Sequence, residues 1–514
     1  MQHDHPLTLQ HVLWRMRTMN GHKEVVTLTE GEPERISYAA LGERVDRLCH
    51  ALTALGVKPG DRVATFSWNT QRHLELYLAA PCMGAVLHTL NIRLFPEQLQ
   101  YIVGHAEDHL LFLDPSLREV WEAGGATVDR IVELGDEYER LLAEQPDGGF
   151  DYPELDDRSA AGLCYTSGTT GNPKGVLYSH RSNMLHTMGQ CLADGAGVRH
   201  GDCVLPIVPM FHANAWGFPY AATMIGASLV LPSRFVAPEP LARAIENERV
   251  TIAAAVPTVW LDLLRYADEH KPDLSSLHMV PCGGAAVPES LMRAFEERHG
   301  VRIVQAWGMT ETSPLASTAH GEDWDDRVRQ GRSLPLVETR IVDDDGNEVA
   351  WDGESTGELE VRGPWIAAAY YRDDDPAKFD NGWLRTGDIA SIDARGSIKL
   401  TDRSKDVIKS GGEWISSVEL ENALMAHASI REAAVIARPD ERWSERPLAC
   451  VVLEKGAQLD AEELKRHLHE RVAKWWVPDD YVAIDEVPKT SVGKFDKKVL
   501  RAQLKAGDLT GAAV

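Results

Sequence analysis

Before Arg332 the chain alternates short apolar runs with longer stretches whose hydrophobic positions recur at helical spacing. Tyr38 to Leu55 carries its apolar residues in that helical pattern. Val57 to Asp61 then supplies a turn with Pro and Gly, and Arg62 to Phe66 reads as a strand. The same rhythm returns at Pro238 to Val250 followed by Thr251 to Val256, and at Pro288 to His299 followed by Val301 to Gln305. Helix and strand in regular alternation predict an α/β class: a large N-terminal domain of stacked sheets covered by helices.

Beyond Arg332 the texture changes. Glu338 to Val342, Glu348 to Val349, Gly357 to Val361 and Ser397 to Leu400 are short strand-like runs separated by Asp and Gly turns, which predicts a β-rich subdomain. From Ser417 the pattern becomes helix (Val418 to Ala426), strand (Ile430 to Ala437), strand (Pro447 to Leu453), helix (Asp460 to Val472) and a late strand near Tyr481 to Ile484, enough for a small separate α+β domain. Between them DRSKDVIKSGG, from Asp402 to Gly412, mixes charges and ends on a Gly pair. The expected division is a body over 1–402, a hinge over 403–412 and a mobile C-terminal domain over 413–514.

Length and composition narrow the class. A chain of 514 residues holds about three domain-sized units. Hydrophobic residues at 44% and charged residues at 25% are ordinary for a folded globular protein. The net charge of −25 disfavours broad attachment to nucleic acid or anionic lipid, so a polyanionic ligand needs a local basic site. Met1 to Gln10 has neither the basic segment nor the apolar run of an export signal, and no uncharged apolar stretch reaches membrane-spanning length, so a cytoplasmic location is expected. The seven cysteines are scattered without a CxxC pair and read as reduced core thiols.

The most informative segment is YTSGTTGNPKGV, Tyr165 to Val176. Gly168, Gly171 and Gly175 let backbone approach an oxyanion, Thr166, Ser167, Thr169 and Thr170 add hydroxyl donors, and Lys174 adds a charge. No Gly-Lys-Ser or Gly-Lys-Thr closes it, so it is not the P-loop signature. Alone, it serves equally well as a Gly-rich turn without a ligand. Four further segments accompany it: WGMTET (Trp307 to Thr312), GWLRTGD (Gly382 to Asp388), DRSKDVIKSGG and PKTSVGK (Pro488 to Lys494).

In this order and spacing the five segments resemble the acyl-adenylate-forming (AMP-binding) superfamily over nearly the whole chain. FHANAW, KSGGEWIS and DRSKDV are most similar to its fatty-acid–CoA ligase branch. The resemblance implies two half-reactions: a carboxylate and ATP give acyl-AMP and pyrophosphate, and a thiol then attacks the adenylate. It also implies Mg²⁺ and coenzyme A, and relatives make a homodimer an expectation.

The resemblance further assigns roles. Glu311 binds Mg²⁺ with Ser167, a hard-oxygen choice that suits the ion; Thr310 contacts the α-phosphate; Trp307 lies against adenine, where the family more usually has Tyr. Gly283 and Gly284 let adenine pass close to backbone, with Gln305, Ala306 and Gly308 nearby. Asp388, read as closing a Gly-rich turn, accepts from the ribose hydroxyls, and Arg403 donates to the same sugar. Lys494 neutralises charge gathered at the α-phosphate, arriving on the mobile domain. Lys405 and Asp406 pivot, Lys409 and Trp414 touch the nucleotide beforehand, and Gly411 and Gly412 meet the pantetheine arm afterwards.

For the acid, PMFHANAWGFPY (Pro209 to Tyr220) is read as placing His212 and Trp216 one helical turn apart among apolar residues. His212 lines the carboxylate end, Trp216 gates the acyl entry, and Val256 to Trp260 form another wall; core packing is the alternative for each. No Asp or Lys stands there to grip an amino acid, so a free medium- to long-chain fatty acid is expected. Bulky Trp216 and Trp260 leave a short acid such as 3-methylmercaptopropionate open, as is adenylation for a separate carrier protein. A non-catalytic nucleotide-binding scaffold is the contrasting class, and joint retention of Lys174, Glu311, Asp388, Arg403 and Lys494 argues against it.

Overall fold

The computed structural model describes residues 3–166, 172–373, 375–403, 406–410, 413–440, 442–489 and 495–509, with backbone only at Glu413 and Trp414. It is an α/β body of four sheets followed by a smaller α+β unit with its own sheet.

The first sheet runs Arg130–Glu133, Leu110–Leu113, Arg62–Phe66, Val86–Thr89, Ala160–Tyr165, Gly175–Ser179. Its first five strands are parallel and the last returns antiparallel. These strands are continuous apolar runs such as LLFL because helices cover both faces. The second sheet, Ile252–Ala254, Cys203–Pro206, Ser228–Leu231, Glu24–Thr27, Glu34–Ser37, repeats that plan with an antiparallel edge. Helix Gln71–Cys82 is buried from His73 to its end, and its N-terminus is capped by Thr70, whose hydroxyl accepts from the His73 N–H. Its Glu75 is kept in the core by Arg44 at 2.6 Å and the Tyr138 hydroxyl at 2.5 Å.

The third sheet, Val280–Gly283, Ile303–Gly308, Leu315–Thr318, Arg332–Ser333, continues from the second through the Ala255–Cys282 bridge. The β-rich subdomain is the fourth: Glu338–Val342, Gly357–Arg362, Trp383–Ile392, Phe379–Asp380, with Ile398–Arg403 paired to the long strand. Glu348 to Val349 is not a strand. The Asp343 carboxylate gathers the Asp345 and Asn347 N–H groups into a tight turn, leaving only a Val342–Glu348 bridge.

The fifth sheet orders Glu413–Ile415, Ile408–Ser410, Ser444–Leu453, Ile430–Asp440, with Asp480–Ala483 beside Ser444–Leu453. Helices Ser417–Met425, Ala461–His469 and Lys497–Ala506 accompany it. Part of the stretch expected to be hinge is therefore strand: Ile408–Ser410 pairs within the small unit, and Ile398–Arg403 extends the body to Arg403. All seven cysteines are unpaired thiols, and burial raises the pKa of each.

Candidate active site

The Gly-rich segment spans the connection between two antiparallel strands, with Tyr165 opposite Gly175. Thr166 and Lys174 close its neck: the Thr166 N–H donates to the Lys174 carbonyl at 2.9 Å, and the Lys174 N–H to Thr166 Oγ1 at 3.1 Å. Ser167, Gly168, Thr169, Thr170 and Gly171 lie outside the described residues. The Lys174 ammonium pairs with Asp373, which raises its pKa, and stands 5.9 Å from the Tyr370 ring centroid. Lys174 is thus anchored without being buried.

Strand Ile303–Gly308 delivers the second group. Gln305 is a buried side chain within 3.4 Å of Gln330 Nε2, the Val287 N–H and the Arg327 carbonyl. Ala306 sits opposite Gly283, where an added Cβ would lie 2.2 Å from the Ala306 carbonyl oxygen, so the close strand approach requires glycine there. Gly284 follows with φ +83°. At Gly308 a Cβ would meet the Pro314 carbonyl at 1.9 Å. The chain then turns through Thr310–Thr312. The Thr310 carbonyl accepts from the Tyr178 hydroxyl at 2.7 Å, and Glu311 is buried with Oε1 accepting from the Tyr370 hydroxyl at 2.6 Å. Burial and Glu311 raise the Tyr370 pKa, which keeps the phenol a donor.

Asp388 is not in a turn. It lies on strand Trp383–Ile392 directly opposite Arg403, at a register irregularity that Gly387 accommodates with φ +75°. Its Oδ1 holds Arg403 Nε at 2.7 Å and its Oδ2 accepts from Trp307 Nε1 at 2.9 Å. Trp307 itself is buried in the core of the β-rich side. Sequence reading missed three neighbours. Tyr370 and Asp373 fix Glu311 and Lys174, and Lys378 has a pKa lowered by burial and pushed back up by Glu311 and, against Arg403, by Asp388. The only sequence signal for them was the polar run YYRDDDPAK before GWLRTGD.

Among the described residues no group of three or more His, Cys, Asp or Glu forms a metal cluster. A single buried carboxylate, Glu311, still fits Mg²⁺, which is commonly bound by one or two carboxylates together with substrate phosphates and water.

His212 and Trp216 do not sit on a right-handed helix. Ala213, Asn214, Ala215 and Trp216 all have positive φ, 43°, 51°, 47° and 55°, and Gly217 follows at 79°. Tertiary contacts hold this left-handed turn: the Ala213 N–H donates to Cys164 Sγ at 3.3 Å, Asn214 Oδ1 accepts from the Tyr77 hydroxyl at 3.3 Å, and the Trp216 carbonyl accepts from Gln190 Nε2 at 2.6 Å. Trp216 borders a small cavity with Gln190, Ala196, Met279, Val304 and Leu315. Trp260 is elsewhere: fully buried in the core between helices Pro257–His270 and Glu289–His299, edge-on to Phe295 at 5.7 Å. The structure does not bring it to that cavity.

At the hinge, Asp402 reaches across to the small unit. Its Oδ2 accepts from the Ser417 N–H at 2.9 Å and from the Ser417 hydroxyl, which in turn lies 2.5 Å from Lys497 Nζ. Lys497 also pairs with Glu421 at 2.6 Å, and Arg501 pairs with Asp406 at 2.6 Å. Lys409 pairs in register with Trp414, and its N–H donates to Glu445 at 2.8 Å. Lys405, Gly411, Gly412 and Lys494 lie outside the described residues.

Residues 15–371 match the family described as AMP-binding enzyme, and residues 419–494 match the AMP-binding enzyme C-terminal domain. A 3-methylmercaptopropionyl-CoA ligase of Ruegeria pomeroyi is 44% identical over 97% of this chain and 98% of its own. A long-chain-fatty-acid–CoA ligase of Thermus thermophilus is 45% identical over 98% and 96%. Among solved structures, an anthranilate CoA ligase in complex with anthranoyl-AMP superposes with a TM-score of 0.91 at 25% identity, covering 98% of this chain and 99% of that one. With both matches in one chain and relatives aligned end to end, the protein belongs to the AMP-binding enzyme family, in its acyl-CoA ligase branch.

Proposed function

We propose that this chain is an ATP- and Mg²⁺-dependent fatty-acid–CoA ligase acting on medium- to long-chain acids. The observation that carries the reading is that Lys174 and Glu311 meet at Tyr370, while Glu311, Asp388 and Arg403 all act on the Lys378 ammonium. In the first half-reaction a carboxylate oxygen attacks the α-phosphorus and pyrophosphate leaves. In the second the thiol sulfur of coenzyme A attacks the acyl carbon, AMP leaves, and the thiol proton passes to solvent.

Thr166, Ser167, Gly168, Thr169, Thr170, Gly171 and Lys174 cradle the phosphates in this reading. Thr310 contacts the α-phosphate, and Glu311 with Ser167 holds Mg²⁺, which supplies charge neutralisation at the phosphates when bound. Gly283, Gly284, Gln305, Ala306, Trp307 and Gly308 border the base, while Asp388 and Arg403 hold the ribose. Lys494, carried by the small domain, meets the charge at the α-phosphate; an ammonium ~4 Å away at an effective dielectric of ~20 contributes about 4 kcal/mol. Rotation about Lys405 then exchanges Lys409 and Trp414 for Gly411 and Gly412 beside the coenzyme A arm.

His212 lines the carboxylate end and Trp216 gates the chain. The void beside Trp216, about 10 Å³, favours a second reading in which the acid is short, as for the Ruegeria relative's 3-methylmercaptopropionyl product. A cytoplasmic homodimer belongs to the same reading; no helix among the described residues is long and apolar enough to cross a membrane. Pyrophosphate release on adding ATP, Mg²⁺ and straight-chain acids of increasing length, with and without coenzyme A, tests the proposal. Thioester formation supports it; no acid-dependent release contradicts it.

A further inference from the structure

Gln190 stands one residue before the end of helix His180–Cys191 and is 1% exposed. Its Nε2 donates to the Trp216 carbonyl at 2.6 Å. That contact fixes which way the amide faces, because turning it over would set two oxygens against each other. Oε1 is then left buried, and it has no hydrogen-bond partner among the described residues. Buried acceptors are almost always satisfied, so an unpartnered one in the wall of a cavity points to something supplied from outside.

The surroundings of Gln190 strengthen the point. It lines the cavity beside Trp216 together with Ala196, Met279, Val304 and Leu315, all apolar. Thr318, also on the wall, already donates its hydroxyl to the Asp194 carbonyl. The void of about 10 Å³ is at the lower limit for one water, and apolar walls offer that water few further partners. A void of that size admits an acyl chain only if its wall moves, and Trp216 is part of that wall. The same glutamine therefore holds the Trp216 carbonyl and carries a buried, unpaired acceptor within the wall of the cavity. The turn it holds consists of left-handed residues, each intrinsically disfavoured for an L-amino acid, so external hydrogen bonds decide its pose. His186, one helical turn earlier, packs against Gly217, where a Cβ would lie 2.7 Å from the imidazole.

We propose that Gln190 is a specificity-determining residue of the acyl site: it sets the closed pose of Trp216, and its Oε1 selects carboxylic acids that carry a hydrogen-bond donor on the chain, such as a hydroxyl, over unsubstituted acids of equal length. This rests on the reading that the cavity beside Trp216 receives the acyl group. An unsubstituted chain leaves the acceptor unpaired, whereas a hydroxyl satisfies it, and discrimination against a missing hydroxyl is large when the site is built to bond it.

The test uses the full-length protein with matched pairs: butyric and 4-hydroxybutyric, hexanoic and 6-hydroxyhexanoic, octanoic and 8-hydroxyoctanoic acids. Acyl-CoA formation is followed for the parent and for Gln190→Met, which keeps the side-chain volume and removes both amide interactions. The expected result is a preference of about tenfold or more in kcat/KM for the hydroxylated member of at least one pair, lost in Gln190→Met while the KM for ATP stays unchanged. Should the variant fail to fold, the parent's ratio alone decides. Thioester formation with no hydroxyl preference in any pair, or a variant that slows both members equally, overturns the inference and leaves the ligase reading intact. No thioester from any acid overturns both.

Discussion

The indole of Trp307 donates to Asp388 Oδ2 at 2.9 Å, on the carboxylate whose other oxygen holds Arg403 Nε at 2.7 Å. Asp388 is thereby oriented before any nucleotide arrives, and in the proposed role its remaining acceptor positions face the ribose. Asp388→Ala should raise the KM for ATP by about a hundredfold or more, since two charge-assisted bonds worth roughly 1.5–3 kcal/mol each are at stake. Trp307→Phe keeps an aromatic ring but removes the pyrrole half of the indole together with its N–H; the loss of that one hydrogen bond to Asp388 should shift the same KM by about tenfold or less. ATP titrations at saturating acid and coenzyme A check both.

Across the hinge, Lys497 is enclosed by Glu421 at 2.6 Å and by Ser417, which carries the Asp402 carboxylate. Burial pushes the Glu421 carboxyl up to about 7 despite that ammonium. Lys497→Met leaves two buried carboxylates without their cation and should cost about 3–5 kcal/mol. Urea denaturation of the parent and the variant measures the loss; a variant as stable as the parent contradicts the account of this cluster.

His186 is buried and takes the Leu315 N–H on Nε2 at 3.0 Å, a role open only to neutral imidazole. Burial lowers its pKa to about 3, and it lowers those of His73 and His180 to about 4. Each group binds fewer protons folded than unfolded between its lowered pKa and the ordinary value near 6.5. Their stabilisation is therefore complete above about pH 6.5 and is lost as the pH falls toward 3, by up to about 1.4 kcal/mol per pH unit for each. Thermal melts from pH 8 to pH 5 should show Tm falling, with a shallower slope in His186→Gln, whose amide oxygen can still accept.

Trp216→Ala opens the cavity without touching the nucleotide groups, so its effect should fall on the acid. The expected outcome is a chain-length profile shifted toward longer acids with the KM for ATP unchanged. An unaltered profile removes Trp216 from the acyl gate.

Much of this was legible in the chain itself, and the failures have particular causes. Tyr38 to Leu55 and the Arg62 to Phe66 strand lie where the periodicity puts them, because each has a single apolar face or a wholly apolar run to bury. The turn at Ala213–Gly217 was not legible. Only Asn214 and Gly217 are residue types that favour left-handed backbone, and the three other positions adopt it because Gln190, Tyr77 and Cys164, distant in sequence, hold the turn. Asp388 was read into a turn because Gly382 and Gly387 precede it; the first lies just before the strand and the second sits at its bulge. Tyr370 and Asp373 carried no motif, since their importance lies in what they touch.

The most direct measurement is single-turnover chemistry on Lys494→Ala, with the two half-reactions assayed separately. Acyl-AMP formation from acid and ATP should fall several hundredfold or more, the rate equivalent of about 4 kcal/mol, while thioester formation from supplied acyl-AMP and coenzyme A stays near the parent rate. Equal losses in both steps, or undiminished acyl-AMP formation, would contradict the account.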